Sequence, residues 1–222
     1  MAQTKKASQS FRFFTRLHLT ELTGLKASNL KELLQHTKAV SGSSIYHHTH
    51  RFLQQHQYLS PEPPNDFAYW VTQILGENQL GEKLASIDTV RFHNIRSLRE
   101  EIIRTIKDHI KDNPTSKKKF ANKGAEFFFL KSVSFVIPTN YIVTDLKEFV
   151  EIIKKITIDS IYFHIFESRL RLEKEANDFS YWIESALGEK ALAEKIASLD
   201  PYTQTLEDLR KSIIAAVSKR IS

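Results

Sequence analysis

Cysteine is absent from the 222 residues of this chain. That absence excludes a disulfide framework, a thiolate zinc site and a cysteine nucleophile. Glycine and proline are also scarce, at six residues each, against fifteen phenylalanines and seven tyrosines. This composition indicates packed, regular structure rather than a loop-rich or disordered chain.

Long hydrophobic runs are missing as well. No stretch reaches the roughly 18 apolar residues that a membrane-spanning helix needs, and the polar start MAQTKKASQS lacks the apolar stretch of a secretory signal. We therefore expect no membrane partner and predict a cytoplasmic protein.

Positive charge is in moderate excess and is unevenly placed. The net charge is +6, and residues 111–125 alone carry five lysines and one aspartate. A nucleic-acid-binding domain usually spreads its basic charge over a folded face. We therefore interpret residues 111–125, which include Pro114 and Gly124, as a solvated basic linker. This interpretation is favoured over phosphate binding by Lys117, Lys118 and Lys119.

Several short motifs occur twice and in the same order. Ser44–His48 resembles Ser160–His164, and Asn65–Trp70 resembles Asn177–Trp182. Apolar residues near each C-terminal end also share one helical spacing: Ile95, Leu98, Ile102, Ile103, Ile106 and Ile110 in the first copy, and Leu206, Leu209, Ile213, Ile214, Val217 and Ile221 in the second. These matches predict an internal duplication.

The predicted fold class is mainly α, a tandem duplication of a helical unit of roughly 100 residues. Each unit is expected to open with a short aromatic extended segment or strand, Phe11–Leu19 or Phe127–Phe135. The first helices are expected to begin after Ser28 and Thr144 as caps. The predicted organisation is a disordered tail (1–10), helical unit 1 (11–110), the basic linker (111–125) and helical unit 2 (126–222), the copies differing mainly in the loop 57–64.

The paired motifs also support a family resemblance. Ser-Ile-Tyr-x-His, Asn-Asp-Phe-x-x-Trp and Leu-Gly-Glu resemble those of an uncharacterised prokaryotic family, a domain of unknown function. Leu22–Ala27 and Tyr46–Phe52 fit that pattern, whereas Thr139–Tyr141 and Ile165–Glu167 depart from it. The resemblance covers nearly the whole chain and implies a cytoplasmic protein of unassigned activity, with no mechanism.

Polar or amphipathic residues shared by both copies are the candidate ligand-binding residues. They are Tyr46, His48, Asn65, Asp66 and Trp70 with Tyr162, His164, Asn177, Asp178 and Trp182, and Arg51 is added from the first copy. A histidine near a carboxylate can act as a general base, and a Tyr–Trp wall can hold a ligand.

A structural role is nevertheless the favoured interpretation of these residues. Asp66 directly precedes a helix and can cap it, while Trp70 and His48 share helix faces with apolar residues. No nucleophile or second carboxylate accompanies the histidine and aspartate. We therefore predict no catalytic residue and no cofactor.

A run of histidines suggests a metal site. His47 and His50 lie three residues apart on a helix, a spacing that can place two imidazoles on one ion. Phe163 and Phe166 stand at the matching positions of the second copy. We therefore interpret the histidines as incidental surface residues and predict no metal.

The leading functional hypothesis is a non-enzymatic binding or scaffolding protein with an unidentified protein partner or small ligand. The alternative is a small-molecule enzyme or sensor with a pocket around His48 and Asp66. Nucleic-acid association through the Lys-rich linker is the least favoured of the three. The sequence does not specify an oligomeric state.

Overall fold

The computed structural model describes residues 5–51, 64–92, 94–168, 176–199 and 205–221. Two 17-residue strands, β1 (Phe11–Ala27) and β2 (Phe127–Val143), form an antiparallel two-stranded sheet. Helices α1 to α5 cover Leu30–Ala39, Gly42–Tyr46, Asp66–Gln73, Asn78–Ala85 and Ile95–Asp112. Helices α6 to α10 cover Leu146–Ile153, Ile158–Tyr162, Asp178–Leu187, Lys190–Ala197 and Leu206–Ile221.

Shorter helical turns complete these elements. A π-helical turn extends α2 through His47–Arg51, and another extends α7 through Phe163–Glu167. Thr89–Arg91 and Pro114–Lys118 form 3₁₀ turns. Most of the predicted loop 57–64 lies outside the described residues. Within the part of the chain that the structure describes, no helix combines the length and apolar character needed to cross a membrane.

The predicted fold class, a mainly α tandem duplication, is wrong. Each predicted aromatic segment is part of a strand of 17 residues, and the two strands pair in one sheet, so the fold is mixed α/β. The aromatic segments also fail to pack against the helices that follow them. The buried side chains of Phe11 and Phe13 belong to the core formed by residues after Val143. A tandem pair of self-contained helical units would bury each aromatic segment within its own half of the chain.

The described residues divide into two compact units. One, called here the C-terminal unit, contains the residues up to Leu17 and those from Ser134 onwards. The other, the central unit, lies between His18 and Val133. These boundaries pass through both strands, whereas the sequence-based division placed residues 11–110 together and residues 126–222 together.

Aromatic side chains make the cores of both units. In the C-terminal unit, Phe13 is fully buried, and its ring lies 5.8 Å from Phe149 and 5.9 Å from Phe179 between centroids. In the central unit, the ring of Phe127 lies 5.1 Å from that of Phe67. Large buried aromatic rings contribute strongly to core stability. The first residues of each strand therefore anchor the sheet in a helical core.

The described part of the N-terminal tail is attached to the C-terminal unit rather than disordered. The backbone N–H of Ala7 donates to the Thr144 carbonyl at 2.7 Å, and Lys6 forms an ion pair with Asp145 at 2.7 Å. The indole N–H of Trp182 donates to the Gln9 carbonyl at 2.7 Å. Three kinds of polar contact therefore hold these residues in place.

The segment predicted to be a solvated linker is part of the central unit and packs against its other residues. Ser116 is buried, and the N–H of Ala121 donates to the Ser28 carbonyl at 2.7 Å. Lys119 forms an ion pair with Glu77 at 2.9 Å. Burial opposes ionisation of Glu77, but hydrogen bonds from Lys119 and His109 lower the pKa of its carboxyl. The segment is therefore folded against α5 and the loop that precedes α4.

The helix ends differ from the prediction by one residue. Asn29 and Asp145, rather than Ser28 and Thr144, accept the first-turn N–H groups of α1 and α6. The long amphipathic helices are confirmed as α5 and α10, with the predicted apolar residues Leu98, Ile102 and Ile106 buried in α5. Gly188 ends α8 in the left-handed conformation that glycine adopts without strain.

Replacing Phe13 tests whether the strand start is part of the core. Phe13→Ala should lower the free energy of unfolding by about 3–5 kcal/mol, because it empties a fully buried aromatic site. Arg12→Ala, at the neighbouring exposed position, should change it by no more than about 0.5 kcal/mol. Chemical denaturation measures both values. Equal, small effects would show that the aromatic segment is a surface arm.

Candidate functional site

His48 lies in the π-helical turn after α2, with both ring nitrogens engaged. Its Nδ1 is 2.7 Å from Asp66 Oδ2, and the backbone N–H of Leu130 donates to Nε2 at 3.0 Å. A backbone amide can only donate, so Nε2 is the acceptor and Nδ1 carries the proton. The imidazole therefore donates to the Asp66 carboxylate, and its side chain is 3% exposed.

His164 in the C-terminal unit has the same arrangement. Its Nδ1 is 2.7 Å from Asp178 Oδ2, and the N–H of Phe14 donates to Nε2 at 2.9 Å. The Ser160 hydroxyl donates to the carbonyl of Phe14 at 2.6 Å. Both backbone groups of this strand residue are thus satisfied by side chains of α7 and its π-helical turn.

Each histidine accepts a backbone N–H at the outer edge of a strand. The N–H of Leu130 bonds to His48, so it points away from β1, and N–H directions alternate along a regular strand. The N–H positions of the other even-numbered residues of β2 therefore lie on this outer edge. Pro138 occupies one of them, where the missing N–H costs no bond to β1.

This geometry leaves no ring nitrogen to accept a proton from a substrate. A general base must reach the proton that it removes, whereas Nε2 of His48 and of His164 already accepts a backbone N–H. Asp66 was predicted to cap a helix, but it is the first residue of α3 and pairs with His48. Charge on the aspartate favours the Nδ1–H tautomer that leaves Nε2 as an acceptor.

The remaining polar candidates also bond to backbone. Asn65, not Asp66, caps α3 by accepting the Ala68 N–H at 2.8 Å, and its amide donates to the Leu84 carbonyl at 3.1 Å. Asn177 caps α8 in the same way and donates to the carbonyl of Ile196 at 3.3 Å. These amides therefore connect the start of α3 to the end of α4, and the start of α8 to the end of α9.

The aromatic candidates pack within their units. The indole N–H of Trp70 donates to the Ala125 carbonyl at 2.7 Å, as Trp182 does to Gln9. The ring of Tyr162 stacks on Phe166, 4.7 Å between centroids. None of these rings forms an open wall, because Trp70, Trp182 and Tyr162 are each at most 5% exposed.

Tyr46 belongs to a stack of rings in the central unit. His50 stacks on it at 5.5 Å and His18 at 5.9 Å between centroids. Arg51, half-buried, ends the same π-helical turn. The structure thus brings His48 together with Asp66 in the central unit and His164 together with Asp178 in the C-terminal unit.

His47 and His50 are buried, so their interpretation as surface histidines is wrong. His47 Nδ1 lies 2.9 Å from the Ser132 hydroxyl, and His50 Nδ1 lies 3.0 Å from the Thr49 hydroxyl. Burial lowers the pKa of His50 to about 4. Burial likewise lowers the pKa of His47 to about 4. Among the described residues, no three His, Asp or Glu side chains form a group that could hold a metal ion.

Sequence reasoning missed the exposed apolar residues of β2. Phe135, Val136, Ile137, Tyr141 and Ile142 are each 37–50% exposed. The signal was available: apolar residues stand at consecutive positions, so they face both sides of a strand. The aromatic segment Phe127–Phe135 is only the first part of β2, which continues to Val143.

The fold and the histidine geometry define a class of protein. It is a mixed α/β protein with a long two-stranded sheet, in which a buried histidine held by an aspartate accepts one backbone N–H from each strand. The chain belongs to a family of unknown function, DUF5752, whose model matches residues 8–218. It is also similar in fold to OrfY from Thermoproteus tenax, with 24% identity, 96% of each chain covered and a TM-score of 0.80. Comparison with curated proteins gave no match.

Substitution of the two edge-binding histidines tests their structural role. His48→Phe and His164→Phe should each lower the free energy of unfolding by about 1–3 kcal/mol, because each leaves a strand N–H and an aspartate without their partner. His36→Phe is the control. His36 also packs against an aromatic ring, that of Phe129, but its side chain forms no hydrogen bond with the described residues. A loss at His164 with a gain at His48 would instead indicate a functional site at His48.

The two buried histidines make stability depend on pH. An unfolded histidine titrates near 6.5, whereas His47 and His50 in the folded chain titrate near 4. As the pH falls from about 6.5 to 4, the unfolded chain binds protons that the folded chain refuses, so stability is lost. His50→Phe, which retains a ring against Tyr46, should reduce the slope by up to about 1.4 kcal/mol per pH unit. Denaturation at pH 7.5 and 4.5 measures the change, and parallel curves would contradict it.

Proposed function

We propose that this protein is a non-enzymatic binding protein whose docking surface is the apolar segment of β2, Phe135–Ile142. The observation that carries the proposal is the exposure of five large apolar side chains within these eight residues. Exposed apolar groups of this density are typical of interaction sites rather than of an ordinary surface.

Charge supports the same surface. Residues 134–143 contain no Asp, Glu, Lys or Arg. Exposed edge strands usually carry charged residues that prevent pairing with other chains. In the C-terminal unit, Leu17 of β1 adds a further side chain that is 50% exposed. A neutral, apolar strand in contact with water suits a partner that covers it.

The sheet itself supports a partner. A two-stranded sheet is marginally stable in water unless more strands or a helix cover it. The first residues of each strand are buried in a helical core and hydrogen-bonded by a histidine. Phe135–Ile142, by contrast, is exposed over most of its length. An extended partner segment can add to the edge of such a sheet through backbone hydrogen bonds.

The alternative of an enzyme or sensor with a pocket at His48 and Asp66 lacks this support. The two ring nitrogens are bonded within the chain, and the His48 side chain is 3% exposed. A cytoplasmic location and a prokaryotic origin stay predictions, which cell fractionation and the source genome test directly.

Site-specific photo-crosslinking in the native host tests the docking surface. A photo-reactive benzoyl-phenylalanine in place of Ile137 should give a discrete adduct, because a partner covers that side chain. The same residue in place of Lys155, an exposed position of the same unit, should give none. The adduct at position 137 should disappear in a Val136→Ser, Tyr141→Ser background.

Two results would contradict the proposed function. One is the absence of any adduct at position 137, and the other is an identical set of adducts from positions 137 and 155. The Val136→Ser, Tyr141→Ser background should fold normally, because both side chains are exposed and surface substitutions change stability by about 0.5 kcal/mol or less. An adduct to a second copy of the chain would support binding through self-association.

A further inference from the structure

The Lys-Phe turn, residues 117–123, is fixed against the central unit. On its N-terminal side, Ser116 is 2% exposed, and Lys119 donates to the Gly76 carbonyl at 3.1 Å as well as pairing with Glu77. On the far side of the ring, the N–H of Ala121 is bonded to Ser28 at 2.7 Å. The residues on either side of Phe120 are therefore held in place.

Phe120 points into solvent from this fixed backbone. Its side chain is 64% exposed, although both of its neighbours contact the protein. Exposure of a phenylalanine forgoes the free energy of burying it. The turn therefore presents an aromatic face to solvent instead of packing it in a core.

Lysines without an ion pair to any described residue lie on both sides of this ring in the chain. Lys117, Lys118 and Lys123 are exposed, and the described residues offer none of them an ion pair. Lys119, by contrast, is paired with Glu77. Asp112 is the single acidic residue among positions 111–125. The turn thus combines three available cations with one flat apolar face.

We propose that the Lys-Phe turn binds single-stranded nucleic acid without sequence preference. Phosphates contact Lys117, Lys118 and Lys123, and one base stacks on the ring of Phe120. This combination of backbone charge and aromatic stacking is how sequence-tolerant single-strand sites work. The proposal is independent of the docking surface on β2.

The chemistry favours a nucleic acid over an anionic membrane. Binding in the membrane interface requires a broad apolar face, whereas Phe120 is one ring with lysines on both sides in the chain. A single base matches one ring, and the phosphates on either side of it match lysines before and after position 120. Contacts through phosphates and one stacked base carry no readout of base edges.

Fluorescence anisotropy with labelled oligo-dT and oligo-U of about 12 nucleotides tests the full chain at increasing salt. Three phosphate contacts predict a slope of log Kobs against log[salt] of about −2, since each contact on a single strand contributes about −0.7. Lys117→Ser with Lys118→Ser should reduce the slope to about −0.7. Lys147→Ser with Lys155→Ser removes the same charge from exposed positions elsewhere and should leave the slope unchanged.

The aromatic contact has its own variants. Phe120→Ser should weaken binding by about tenfold at an unchanged salt slope, because loss of stacking removes no phosphate contact. Phe120→Trp should restore binding. Phe128→Ser changes another exposed phenylalanine, 46% exposed, and should leave binding unchanged. Equal melting temperatures of the variants confirm that the fold is intact.

Several outcomes would overturn the proposal. They are no binding of either oligonucleotide at about 50 mM salt, equal binding by Phe120→Ser and the unaltered chain, and an equal loss with the Lys147→Ser, Lys155→Ser control. Sedimentation with phosphatidylserine vesicles provides the lipid comparison. Binding to vesicles without binding to oligonucleotides would assign the turn to a membrane surface instead.

Discussion

The backbone N–H groups at the edges of β1 and β2 are the constraint on which the rest of this structure depends. A strand packed against helices must have its outward amides satisfied, because an unpaired buried amide costs as much as a lost hydrogen bond. Here Nε2 of His164 accepts from Phe14, and Nε2 of His48 accepts from Leu130. Aspartates at the starts of α3 and α8 select the tautomer that makes each acceptor. Each histidine, held by its aspartate, therefore satisfies one strand amide that a third strand would satisfy in a larger sheet.

The same requirement explains why polar residues lie inside aromatic cores. The rings of Phe11 and Phe13 lie 5.0 and 5.9 Å from that of His164 between centroids. An imidazole is flat and largely apolar apart from its nitrogens, so it packs among phenylalanines once both nitrogens are bonded. At two other positions of its π-helical turn, the C-terminal unit has Phe163 and Phe166. His47 and His50 hold those places in the central unit, bonded to hydroxyl groups, and they make it sensitive to acid.

Local features of this fold could be predicted from the sequence, and long-range ones could not. The spacing of Leu98, Ile102 and Ile106 is a property of one helix, so it identified α5 directly. The structural interpretation of His48 agrees with the bonds described above, but its partners Asp66 and Leu130 are 18 and 82 residues away. Alternating phenylalanines indicated a strand start without showing which core it enters. Asn65 caps the helix in place of the predicted Asp66, whose carboxylate is bonded to His48. Local sequence rules do not reveal this partner.

The packing of Phe11 and Phe13 has a consequence for synthesis of the chain. These side chains enter a core whose other members extend to Val217, so the ribosome makes the first and last parts of that core some 200 residues apart. At roughly 5–20 residues per second, the first strand emerges about 10–40 s before its core is complete. During that interval two aromatic side chains and an unpaired strand edge are exposed to the cell. The central unit lies within residues 18–133, so it can fold before the core that buries Phe11 and Phe13 has been synthesised.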